Sequence, residues 1–141
     1  MNDQEIMAIE NRNLANVFSK KPLVLTHGKG ALLWDINGKE YIDCASSYGV
    51  AALGHCHSKI VEALKAQVEN LITCHSCYYN DKRAEFIEKL VKITPKGLDK
   101  AFLSNSGAET VECAIKLARK ATGKTEIIGL MGAFHGKTMG A

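Results

Sequence analysis

No apolar run in the sequence approaches the length of a membrane-spanning helix, and residues 1–5, MNDQE, lack the basic and then apolar pattern of a secretory signal. The sequence also lacks internal repeats, low-complexity tracts and massed basic residues. Its 18 lysines and arginines are spread along the chain, and the net charge is only +3. A protein that binds nucleic acid or a membrane surface would concentrate its basic charge. We therefore expect a cytoplasmic protein with neither partner.

A disulfide framework is not indicated either, because the five cysteines are odd in number and irregularly spaced. Two clusters, HCH at residues 55–57 and CHSC at residues 74–77, deserve comparison with known metal and redox sites. A structural zinc site draws four ligands from two pairs, but here the histidines alternate on a short segment and the single C-x-x-C pair ends a helix. A thioredoxin-like pair would instead open a helix after a strand. We expect reduced thiols and no metal.

The composition is that of an ordinary globular protein, with 141 residues of which 46% are hydrophobic and 23% charged. Predicted strands and helices alternate along it, which indicates an α/β fold. Residues 31–35 and 40–44 flank Asn37-Gly38, whose two residues tolerate positive φ, so they predict a β-hairpin.

Periodic apolar residues and capping signals predict four helices. They cover residues 2–19, a segment that begins near Ser58 and reaches residue 72, a segment that begins near Asn80 or Asp81 and ends before Pro95, and residues 110–121. The last helix carries Glu112 and Lys116 at the spacing of an i,i+4 ion pair, and it ends before Gly123.

The turn SNSGAE at residues 104–109 lies between an apolar segment, residues 100–103, and the helix that follows. The first N–H groups of a helix have no partner inside it, and the peptide dipoles make that end partly positive. Gly107 and Ala108 would let a phosphate approach the backbone, and Ser106 would add a hydroxyl donor. The alternative is a capping box, in which Ser106 satisfies a helix N–H and binds nothing.

A second strand is predicted at residues 126–131, and with residues 100–103 it would form a parallel pair joined by a right-handed crossover. It ends in GAFHGKT at residues 132–138, so both candidate sites would share the carboxyl edge of one sheet. GKT at residues 136–138 resembles the end of a P-loop. Met131 stands where that motif needs its first glycine, however, and the loop is one residue short.

Several motifs occur together and in order: GHCH at residues 54–57, NSGAE at 105–109, AIKLAR at 114–119 and FHGKT at 134–138. In combination they resemble the class III, pyridoxal-phosphate-dependent aminotransferases. The similarity is greatest to the acetylornithine and ornithine group, which includes archaeal enzymes that act on carrier-protein-linked substrates. The resemblance implies the N-terminal part of a fold type I transferase. Residues 1–95 would be an N-terminal segment with part of the small domain, and residues 96–141 would begin the large cofactor domain.

The resemblance also implies cofactor-binding residues. Gly107 and Ala108 would give backbone N–H groups, and Ser106 its hydroxyl, to the phosphate of pyridoxal 5'-phosphate. Phe134 would stack on the pyridine ring, an arrangement favourable by about 0.5–1.5 kcal/mol, and His135 would lie beside it.

Three further residues match substrate-binding positions of the family. Lys137 stands where an arginine usually binds a substrate carboxylate; a lysine offers a point charge in place of a two-pronged grip. The alternative to a substrate-binding role is that Lys137 is a solvated lysine on a loop. Tyr48 and Tyr79 match positions from which related ornithine enzymes reach substrate, and packing is the alternative for both. Ser58 replaces the proline that usually follows the second histidine of the GHCH motif.

The resemblance assigns no catalytic residue to this chain. In the family, the lysine that binds the cofactor covalently and the aspartate that pairs with the pyridine nitrogen both follow the Phe-His-Gly loop. We therefore expect an inactive N-terminal fragment of a homodimeric transaminase. The full enzyme would move an amino group from an ω-amine donor to 2-oxoglutarate, and an amino-group carrier protein is a further candidate partner.

Two other functions stay open. A glutamate-1-semialdehyde aminomutase shares the Ser-Gly turn but typically carries tyrosine where Phe134 stands. A plain phosphate- or nucleotide-binding module would use the turn without covalent attachment of its ligand.

Overall fold

The computed structural model describes residues 1–141, and the chain divides into two units, Met1–Cys74 and His75–Ala141. The first unit contains an N-terminal helix, α1 (Asp3–Asn13), and a three-stranded antiparallel sheet. The second contains two long helices and no sheet. The domain division near residue 95 that the sequence predicts stays a prediction.

Helix α1 begins with reciprocal capping. The Asn2 side chain accepts a hydrogen bond from the Glu5 N–H at 2.8 Å, and the Glu5 carboxylate accepts one from the Asn2 N–H at 3.0 Å. The helix ends at Asn13, before the predicted end at residue 19, because Leu14 is already extended. Its weak apolar periodicity gives the later residues no face to bury, so packing does not extend the helix.

The sheet consists of β1 (Leu25–Lys29), β2 (Leu32–Asp35) and β3 (Glu40–Ile42), with β2 in the centre. The predicted hairpin between β2 and β3 is confirmed: Gly38 has φ +82°, and its N–H donates to the Asp35 carbonyl at 3.0 Å. Strand β1 was not predicted, because the first strand predicted from the sequence begins at residue 31. Glycine suits the strand here, since a Cβ on Gly28 would lie 2.9 Å from the His55 Cβ.

A single turn, α2 (Ser46–Gly49), and helix α3 (Ser58–Val68) complete the first unit. Three consecutive residues of α2, Ser46, Ser47 and Tyr48, have φ between +46° and +56°. Each such non-glycine residue costs roughly 1–2 kcal/mol, so this turn stores strain. Helix α3 begins at the predicted Ser58, although no side chain caps it, and ends before the predicted residue 72.

The second unit contains α4 (Asp81–Ile93) and α5 (Gly107–Thr122). The predicted cap of α4 is confirmed, because the Asn80 side chain accepts a hydrogen bond from the Arg83 N–H at 2.9 Å. Helix α5 also ends as predicted, at Gly123, whose φ of +70° closes the helix in the left-handed conformation.

The predicted parallel strand pair is not formed. Residues 100–103 and 126–131 are exposed throughout and belong to no ladder, so the crossover prediction is wrong for this chain. Apolar, β-branched residues signal a tendency to form a strand, but a strand also needs a hydrogen-bonded neighbour. Neither segment has one here.

No apolar side chain is buried, and Asp35, which is 7% exposed, is the one buried residue. The apolar faces of the helices therefore lie open; Leu64, Phe86 and Leu117 are each at least half exposed. Asp35 is satisfied by hydrogen bonds from the Asn37 and Lys39 N–H groups and the Tyr41 hydroxyl, which brace the hairpin. None of the helices is both long enough and apolar enough to traverse a lipid bilayer.

Candidate cofactor site

The N-terminal end of α5 is capped by Ser106. Its Oγ accepts a hydrogen bond from the Glu109 N–H at 3.2 Å, as in the predicted capping box. The return bond differs, because the Glu109 carboxylate accepts from the Asn105 N–H at 2.6 Å and not from Ser106. Hydroxyl groups of Ser104 and Thr110, 2.7 Å apart, brace the turn from the other side. The turn is therefore fixed in shape.

The N–H groups of Gly107 and Ala108 have no acceptor in the chain, since they are the first two of the helix. The Ser106 hydroxyl uses its oxygen for the cap and keeps its hydrogen available to donate. Capping and anion binding are thus compatible at this serine. The helix end offers three donors in a region of partial positive charge.

The Phe-His-Gly loop lies directly against this helix end. A Cβ on Gly136 would lie 2.7 Å from the Ala108 Cβ and 3.0 Å from its Cα, and Gly136 has φ +147°. Only glycine permits both the backbone conformation and the close approach. The two segments that carry the predicted cofactor-binding residues are therefore in contact.

A cavity of about 520 Å³ lies between the helix end and the loop. Its lining consists of Gly107, Ala108, Val111, Phe134, His135, Gly136 and Lys137. Four of the five predicted cofactor-binding residues line it, and the fifth, Ser106, adjoins it as the helix cap. Phe134 is 77% exposed, so its ring is available to a ligand. Unpaired N–H donors next to an open aromatic ring suit a flat, phosphorylated group.

Glu112 holds the chain beyond the loop against α5. Its carboxylate accepts a hydrogen bond from the Gly140 N–H at 2.8 Å. The Thr138 side chain, followed by this N–H, lowers the pKa of Glu112, so the carboxylate is charged. The predicted ion pair with Lys116 is absent from the ion pairs of the structure, and Lys116 acts on Glu112 only as a nearby charge. Sequence reasoning assigned Glu112 to the wrong partner because Gly140 is 28 residues away.

The predicted substrate residues differ in their surroundings. Lys137 lines the cavity. Tyr48, on the strained turn α2, and Tyr79, just before the cap of α4, are fully exposed, so neither is a packing residue within this chain. Their role towards substrate stays a prediction.

A second cluster, Asp43 with His55, was not predicted, although His55 belongs to the GHCH motif. The His55 Nε2 lies 2.6 Å from an Asp43 carboxylate oxygen. The other Asp43 oxygen accepts hydrogen bonds from the Ala45 and Ser46 N–H groups, both at 2.9 Å, where α2 begins. His55 is itself fixed, because its backbone pairs with Gly30 in both directions. The pair therefore ties the turn that carries Tyr48 to the sheet.

This pair predicts a pH dependence. The hydrogen bond from His55, and then the two N–H groups, lower the pKa of Asp43 below its ordinary value of 3.8. A lowered native pKa stabilises the fold at any pH above the unfolded value of about 3.9, and this stabilisation is lost as pH falls through the native pKa. Amide protection at Ala45 and Ser46, measured by NMR, should hold from pH 7 to about 4 and fall below that. D43N should remove the pH dependence; an unchanged profile in D43N would assign it elsewhere.

A model of the aminotransferase class-III family matches residues 14–141. Acetylornithine aminotransferase of Methanopyrus kandleri is 53% identical over 126 residues, which cover 89% of this chain and 32% of that protein. [LysW]-aminoadipate semialdehyde transaminase of Deinococcus radiodurans is 42% identical, with 99% of this chain and 33% of that protein covered. The chain thus spans about a third of the length of these curated relatives.

A solved structure agrees with this match. The crystal structure of acetylornithine aminotransferase from Elizabethkingia anophelis superposes with a TM-score of 0.79 at 40% identity, over 85% of this chain and 31% of that one. Class III aminotransferases use pyridoxal phosphate, and the residues at the helix end and the loop fit that cofactor. The chain belongs to the class III aminotransferase family and has the fold of the N-terminal part of these pyridoxal-phosphate-dependent enzymes.

Proposed function

We propose that the chain is the N-terminal part of a transaminase that moves an amino group from an ω-amine donor to 2-oxoglutarate in arginine or lysine biosynthesis. The support comes from relatives named for acetylornithine and for [LysW]-aminoadipate semialdehyde. The observation that carries the proposal is the shared cavity, which joins the free N–H groups of α5 to the Phe-His-Gly loop. We propose further that the whole protein is a cytoplasmic homodimer.

Within this proposal the helix end holds the phosphate of the cofactor. The N–H groups of Gly107 and Ala108 and the hydroxyl of Ser106 would donate to it, as charge-assisted hydrogen bonds. Phe134 would cover one face of the pyridine ring, with His135 beside it. When bound, the cofactor supplies an electron sink for the carbon that carries the amino group. The chain's own contribution is binding, orientation and exclusion of water from one side of the ring.

Lys137 is the proposed contact for a substrate carboxylate, because it lines the same cavity and carries positive charge. A lysine binds a carboxylate through a single ammonium group, so it tolerates a wider range of carboxylate orientations than an arginine. Tyr48 and Tyr79 are proposed to contact the amino donor, which would be acetylornithine, ornithine or a lysine linked to a carrier protein. In the last case the carrier protein is itself a partner.

Phe134 favours a transaminase over a glutamate-1-semialdehyde aminomutase. Its exposed ring at the phosphate-binding helix end also favours a flat aromatic ligand over the ligand of a plain phosphate- or nucleotide-binding module.

Borohydride reduction of the full-length protein with pyridoxal phosphate tests the proposal. We expect a covalent adduct on a single lysine outside residues 1–141, located by peptide mass spectrometry, and transamination of acetylornithine with 2-oxoglutarate before reduction. Residues 1–141 alone should show neither adduct nor turnover. A full-length protein that binds pyridoxal phosphate without any lysine adduct would instead be a binding module.

A further inference from the structure

Glu112 is the residue through which α5 holds the Phe-His-Gly loop. It lies one helical turn after Ala108, on the same face of the helix. The loop follows this face: Gly136 contacts Ala108, and four residues later Gly140 reaches Glu112. The loop is thus attached at two points one turn apart, the first by close packing and the second by a charged hydrogen bond.

The second attachment has directional geometry. The Gly140 N–H donates to one Glu112 oxygen at 2.8 Å, and a Cβ on Gly140 would lie 2.7 Å from the other oxygen. Glu112 is half-buried, and the Thr138 side chain adds to the stabilisation of its charged form.

We propose that Glu112 is a positioning residue that fixes Phe134 and His135 over the N-terminal end of α5, through its hydrogen bond to the Gly140 N–H. The inference rests on the proposed function, because it concerns the loop side of the cofactor cavity. Glu112 itself contacts neither phosphate nor ring. It fixes the distance between the loop and the N-terminal end of α5. That distance determines the space available to the pyridine ring.

The test compares two ligands on the full-length apoprotein. In E112A the loop loses its second attachment while the helix end keeps its N–H groups. We expect the dissociation constant for pyridoxal phosphate, measured by absorbance titration, to rise about 10-fold or more. Binding of inorganic phosphate, measured by competition with pyridoxal phosphate, should change less than about 3-fold. Amide exchange in residues 132–140 should accelerate.

Matched variants separate positioning from general damage. E112Q keeps an acceptor for the Gly140 N–H, so it should restore affinity to within about 3-fold of the wild type. E62A makes the same change at an exposed glutamate of α3 and should leave both ligands unaffected. Equal weakening of phosphate and pyridoxal phosphate in E112A would show damage to the helix end and overturn the proposal, as would unchanged loop exchange. Absence of pyridoxal phosphate binding in the wild type would instead contradict the proposed function.

Discussion

Replacing Gly136 with alanine is expected to weaken binding of pyridoxal phosphate to the full-length protein by about 30-fold or more. The new Cβ would lie 2.7 Å from the Ala108 Cβ and 3.0 Å from the Ala108 Cα. Neither atom can move without displacing the helix end, so the loop must move away. Overpacking of this kind costs about 1–3 kcal/mol, and alanine at φ +147° adds further strain. The clash and the backbone strain both destabilise the conformation in which the loop packs against the helix end and forms the cavity.

Gly132 provides the matched control for this variant. It lies in the same segment and also has positive φ, +76°, but nothing lies within 4 Å of its Cβ position. G132A therefore adds about 1–2 kcal/mol of backbone strain to the fold without the clash. Because Gly132 does not line the cavity, little of this strain acts on binding, and we expect a loss of affinity below about 5-fold. Titration of both apoproteins by cofactor absorbance makes the comparison. Equal losses in G132A and G136A would assign the effect to backbone conformation alone and contradict the close packing of loop on helix.

The local features of the site could be predicted from sequence because their causes are local. A serine followed three residues later by glutamate caps a helix whatever surrounds it, and Gly123 closes the same helix because it alone adopts positive φ without strain. Asn37-Gly38 selects its turn for the same reason. Boundaries that depended on apolar periodicity, at residues 19 and 72, were less accurate, because the faces concerned find nothing to pack against.

The strands could not be predicted in the same way, because strand formation depends on a pairing partner elsewhere in the chain. Residues 126–131 have the composition of a strand, yet they pair with nothing, because pairing depends on a partner that composition does not specify. Strand β1 is the converse case. Glycine is unfavourable in a strand by composition, but the missing side chain of Gly28 is what lets this strand approach Leu33 and His55. In both cases a distant segment decides the structure.

The contacts of Glu112 and Asp43 were not predicted, for a related reason. Glu112 has a lysine four residues later, and Asp43 follows a strand, so each has an ordinary local explanation. Their actual partners are 28 and 12 residues away. One signal was present for the second pair, since His55 belongs to a motif of the family while its role was unassigned.

The variants S106D and S106A are expected to separate the two roles of Ser106 in the full-length protein. Aspartate is as good a cap as serine, so S106D should keep the hydrogen bond to the Glu109 N–H and the stability of the first turn. It also places a negative charge where the phosphate would bind. Two unit charges about 4 Å apart interact by roughly 4 kcal/mol at an effective dielectric constant of 20. We expect the affinity for pyridoxal phosphate to fall at least about 100-fold.

S106A should behave in the opposite way. It removes the cap, at a cost of about 1 kcal/mol to the helix, and one hydroxyl donor to the phosphate, but it leaves the N–H groups of Gly107 and Ala108 in place. We expect amide exchange of the first turn of α5 to accelerate, with an affinity loss of only about 10-fold. S106A should therefore be the more impaired variant in amide exchange of the first turn, and S106D the more impaired in affinity for pyridoxal phosphate. An S106D variant that binds pyridoxal phosphate as the wild type does would show that the phosphate is not held at this helix end. If Ser106 were a cap and not a donor, S106A would accelerate exchange of the first turn but would keep its affinity for pyridoxal phosphate.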